Sequence, residues 1–132
     1  MPWLDYFVTS WQLYRRLWQM SSELVGAALP AGFCYQVLRL NPPVDNEPVL
    51  HGFNALYLAS LDRWIRVDAR GNTNGINAQF SIRNEQLAFA MDPSADEFIY
   101  EAIFAAPVSS VIDRLHMYKT RSELWLDLPQ SL

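Results

Sequence analysis

Aromatic residues recur at steps of four, four, three and four from Trp3 through Phe7, Trp11 and Tyr14 to Trp18. That spacing puts them on one face and predicts an amphipathic helix. A second helical stretch, "SSELVGAAL", has serines able to cap its start and stops at Pro30, which cannot continue a helix there. Beyond "PAG" the pattern changes. "FCYQVLRL" is aromatic and β-branched enough for a strand, and with "LHGFNALYLA" and "RWIRVDA", joined through "SLD", it predicts three adjacent antiparallel strands. "NPPVDNEP", between the first two, has the proline and asparagine content of an exposed loop. "RGNTNGINAQF" predicts repeated turns that carry the chain back across the sheet. "APVSSVIDRLHMYKT" and "SELWLDL" predict closing helices.

This order predicts one α+β domain over residues 1–132: helical from 1 to 30, a sheet core from 31 to 89, and loop and helices from 90 to 132. At 132 residues and 51% hydrophobic, the chain is long enough for a single core, and no repeat or linker divides it.

Charge and cysteine usage narrow the partners. The net charge is -4 and no basic run exceeds Arg15-Arg16, so nucleic acid is not an expected partner. The single cysteine, Cys34, excludes an internal disulfide and a cysteine-rich zinc site, which favours a reducing, cytoplasmic setting. No cofactor or metal is implied. Asp5 and Arg15-Arg16 break the pattern of a signal peptide, and no stretch approaches the ~20 apolar residues of a membrane span. The aromatic stripe from Trp3 to Trp18 has two readings, a core-facing surface or a docking face, and the second predicts a homodimer.

The hairpin carries the candidate chemistry. A turn centred between Ala59 and Ser60 pairs His51 with Asp68, Phe53 with Arg66 and Ala55 with Trp64. Directly paired residues share a face, and Leu56, Leu58, Ile65 and Val67 then form the core side. A one-residue slip would separate His51 from Asp68. A carboxylate on one imidazole nitrogen fixes the tautomer and lets the other nitrogen act as a base, which makes the pair two thirds of a catalytic triad. A structural hydrogen bond at a sheet edge is the alternative. As a catalytic pair, His51 and Asp68 are expected to stay partly accessible in a groove. His116 is predicted on a helix, either exposed and capping or functional. Asp92, Asp96, Glu97 and Glu101 are predicted to form a solvated face in a loop-to-helix region.

The ordered series "GFCYQVLRL", "HGFNALYL", "RWIRVDARGN", "GINAQFS" and "EQLAF" resembles the transglutaminase-like superfamily of papain-like cysteine enzymes. The likeness runs from about Ser21 to Phe89, and "ELWLDLP" resembles that family's tail. It implies a papain-like α+β core, with N-terminal helices packed on an antiparallel sheet and further helices at the C-terminus. The family's histidine falls on His51 and its aspartate on Asp68. Its cysteine opens the helix before the turn matched here by "LPAGF", which brings that position near Leu17 in "YRRLWQ". No cysteine precedes Cys34. Cys34, in a strand, is read as core filling with a nucleophilic role as the alternative, and Ser21 or Ser22 as a replacement nucleophile is disfavoured, since serine needs a strong base and a well-placed oxyanion hole. Two functional classes follow. The favoured one is a catalytically inactive binding or structural module that keeps the His51–Asp68 pair. The other is a cysteine-type acyl transferase or protease acting on an amide, with a protein or peptide as substrate.

Overall fold

A computed structural model describes residues 19, 29–40, 47–68, 72, 76–117, 119 and 130–132. The aromatic stripe, Ser21, Ser22, the neighbourhood of Leu17 and the segment "SELWLDL" lie outside the described residues.

Four strands form one antiparallel sheet: β1 (Ala31–Leu40), β2 (Glu47–Leu58), β3 (Arg63–Val67) and β4 (Phe98–Ile99), in the spatial order β3-β2-β1-β4. The three strands read from the sequence are all present and adjacent. β1 and β2 pair over ten residues, with Gln36 opposite His51 and Cys34 opposite Phe53. Both strands are apolar on both faces and are buried through most of their length, as a sheet covered from two sides requires.

One face carries Phe33 and Tyr35, which pack on α1 (Ser109–Met117). Val108, Val111, Ile112 and Leu115 follow the helical spacing that turns one apolar stripe toward the sheet. The opposite face carries Cys34, Phe53 and Ala55, and is covered by Leu87, Ile99 and Ile103 from the long segment after β3. Where this segment crosses β1, Phe33 and Phe104 exchange backbone hydrogen bonds of 2.7 and 2.9 Å. Gly32 permits that approach, because a Cβ there would run into the side chain of Ile103 and lie 3.0 Å from the Phe104 carbonyl oxygen.

The expected α+β, papain-like arrangement of helices around a sheet is corrected. Among the described residues the fold is a curled antiparallel half-barrel, with 38% of them in strand, 20% in helix and one α-helix. Between residues 90 and 108 the chain makes a 3-10 turn (Pro93–Ala95) and β4 instead of a helix. Local and tertiary bonds explain this. Asp92 accepts from the Ser94 N–H at the start of the turn, Asp96 takes a left-handed conformation, and Glu97 accepts from the Arg39 N–H at 2.8 Å. β4 then pairs with β1. Asp92, Asp96 and Glu97 are therefore tied into this turn, beyond the solvated face expected of them. Hydrogen bonding from the Ser94 side chain holds the Asp92 carboxyl below its ordinary pKa.

The hairpin register also differs from the expected one. Leu58 faces Arg63, Tyr57 faces Trp64 and Ala55 faces Arg66, so the loop is Ala59–Asp62 and its centre moves by one residue. Asp62 closes the loop in the left-handed region, φ 50°, which aspartate tolerates better than most residues. Moving the centre by one residue slips the pairing by two, and a two-residue slip preserves faces.

Candidate functional site

His51 lies within β2 and Asp68 immediately follows β3, on the face that also carries Cys34 and Gln36. Continuing the β2–β3 ladder sets Asp68 across from Phe53, so His51 and Asp68 are diagonal neighbours. Diagonal neighbours on one face lie within reach of longer side chains. His51 Nε2 and Asp68 Oδ2 are 2.7 Å apart, a short charge-assisted hydrogen-bond distance. The Ala88 N–H also donates to Asp68 Oδ2, at 3.4 Å. Because the carboxylate engages Nε2, Nδ1 is the nitrogen left for a nucleophile or substrate.

The pair is not in an open groove. His51 is 2% and Asp68 3% exposed. Phe89 stands edge-on to the imidazole with ring centroids 5.0 Å apart, and Phe53 stacks on it at 6.1 Å. The expected partial accessibility is thus corrected: the segment from Leu87 to Phe89 brings both a backbone donor for Asp68 and an aromatic cover for His51.

Cys34 is buried and unbridged on the same face, one rung from the Gln36–His51 pair. Burial pushes its thiol up to about 11, with the Arg66 guanidinium pulling down and the Glu85 carboxylate adding to the rise. A thiol of that acidity is protonated at neutral pH and makes a poor nucleophile.

Gln36 was not singled out by its sequence. It is wholly buried directly opposite His51, and neither its amide nitrogen nor its amide oxygen has a hydrogen-bond partner among the described residues. No sequence signal marks it out, because its place opposite His51 depends on the β1–β2 register.

His116 lies exposed in the last turn of α1, where a basic side chain complements the helix dipole. Among the described residues no group of three His, Cys, Asp or Glu side chains converges on a metal position. No helix among them is long and apolar enough to cross a membrane. Comparisons with protein-family models, curated proteins and solved structures find no match to this chain.

Proposed function

We propose that this chain is a relative of the transglutaminase-like enzymes that keeps the histidine–aspartate half of their site without a working nucleophile. His51 and Asp68 then act as a buried structural pair in a binding or scaffolding protein. The observation that carries this reading is the state of the single thiol: Cys34 is enclosed within β1, and burial raises its pKa to about 11. Thiol acyl transfer needs a thiolate next to a base, and every covalent route needs a nucleophile.

A second reading is favoured by one feature, the engagement of Asp68 with Nε2. It orients His51 as a base through Nδ1, so a nucleophile from outside the described residues would complete an acyl-transfer site on an amide of a protein or peptide. A second copy docked through the Trp3–Trp18 stripe is the partner the sequence favours, in the reducing, cytoplasmic setting suggested by the single cysteine.

Iodoacetamide labelling at neutral pH separates the two readings. On the structural reading, Cys34 in the folded protein reacts slowly, and His51→Ala speeds the reaction only as far as it destabilises the fold. Rapid labelling that disappears in His51→Ala would establish a thiolate–imidazole pair and sink the structural reading.

A further inference from the structure

A cleft of about 260 Å³ opens between the edge strand β3 and the 81–85 turn, with Arg63, Trp64, Arg66, Ile82, Arg83 and Glu85 among its lining residues. Three arginines against one glutamate give this lining a charge of +2, in a chain whose net charge is -4. Arg66 is already committed. Its Nε donates to Glu85 Oε1 and its Nη2 to Oε2 at 2.9 Å, a two-pronged pair that forms one wall. Arg63 and Arg83 make no side-chain hydrogen bond or ion pair among the described residues, and both are exposed. Beside them Trp64 is 42% and Ile82 50% exposed, which sets two large apolar side chains on the same cleft as these two guanidinium groups.

Charged residues on an edge strand protect it from pairing with another sheet. Arg63 and Arg66 would suffice for that. Protection does not require Arg83, which comes from a separate segment, or the exposed indole. Guanidinium groups are suited to two-pronged recognition of carboxylate and phosphate, and an indole face accepts a flat apolar body. The volume lies just below the usual range of drug-sized ligand sites, which suits a ligand of one ring and one charged group. We propose that this cleft binds a small anion, a carboxylate or phosphate group carried on a flat apolar body, with Arg63 and Arg83 holding the charge and Trp64 and Ile82 the body. The proposal does not depend on the reading of His51 and Asp68.

Titration of the full chain with benzoate and phenyl phosphate, read by tryptophan emission and by calorimetry, tests it. The expected result is saturable binding of at least one of the two, with loss of the emission change in Trp64→Leu and affinity weakened about tenfold or more in Arg63→Ala combined with Arg83→Ala. Which of the two binds more tightly distinguishes a carboxylate from a phosphate ligand. Neutral benzamide and inorganic phosphate alone should each bind about tenfold more weakly than the better anion. No saturation by either anion below about 10 mM overturns the proposal. So does equal binding of benzamide, equal binding of inorganic phosphate, or unchanged affinity in a folded double-arginine variant. Should that variant not fold, the benzamide comparison on the unaltered chain decides.

Discussion

Asp68 reaches His51 across a diagonal of the sheet: the residue facing Asp68 along the continued ladder is Phe53, yet Asp68 Oδ2 lies 2.7 Å from His51 Nε2. Phe53, opposite Asp68 and next to His51 on the same face of β2, stacks on the imidazole. The pair is bonded, aromatic-covered and buried, and its energetics follow from that enclosure.

Removing either partner takes a hydrogen bond from the other inside the core, which costs about 1–3 kcal/mol, and Asp68 keeps the Ala88 N–H when His51 is the one removed. His51→Ala and Asp68→Ala should each destabilise the fold by at least that much, since a cavity adds to the loss. The double variant should cost less than the sum of the two, with a coupling of about 1 kcal/mol or more. Urea unfolding of the four proteins measures it. Additive losses would mean that the pair contributes nothing beyond its separate parts.

Gln36 makes the opposite prediction. Both amide atoms are buried and have no partner among the described residues, and a buried polar group without a partner costs about 1–3 kcal/mol. Gln36→Met keeps the length and volume of the side chain and removes both groups. Its thermal midpoint should rise. A fall would show that the carboxamide is satisfied in solution and helps to hold the sheet.

Gly32→Ala tests the crossing of β1 by residues 103 and 104. The added methyl would meet Ile103 and the Phe104 carbonyl, and displacing them strains the Phe33–Phe104 backbone bonds. A loss of about 1–3 kcal/mol is expected, in the range of overpacking. An unchanged unfolding midpoint would place the 103–104 segment farther from β1.

The strands were legible because β1, β2 and β3 are long or strongly β-branched runs bounded by turn residues. The shared face of His51 and Asp68 was legible for a subtler reason: the hairpin register was misjudged by two residues, and a strand's two-residue period forgives an even error. What the sequence hid depends on contacts distant along the chain. Phe89 covers His51 from 38 residues away, and nothing local to "EQLAF" announces an aromatic lid. β4 is two residues long and exists because β1 offers it an edge, so nothing local to the loop-to-helix region expected around Asp96 and Glu97 announces it.

The thiol of Cys34 gives the last prediction, with a sign fixed by linkage. Its ordinary pKa of 9.0 rises to about 11 in the folded protein, chiefly because burial disfavours the thiolate. The folded state thus keeps its proton through a pH range in which the unfolded state has lost it. Stability should be fully present below pH 9 and should decline as pH climbs from about 9 toward about 11, by no more than about 2–3 kcal/mol in all. Tyr57 also loses its proton late, because its hydroxyl donates to Asp62, so alkaline weakening has a second source. Cys34→Ala separates them. Chemical unfolding at pH 8, 9, 10 and 11 should show the difference between wild type and variant shrinking as pH rises, since only the wild type carries the thiol's contribution. A constant difference across that range would mean that the folded and unfolded thiols titrate alike, and that Cys34 is less enclosed than its place in β1 implies.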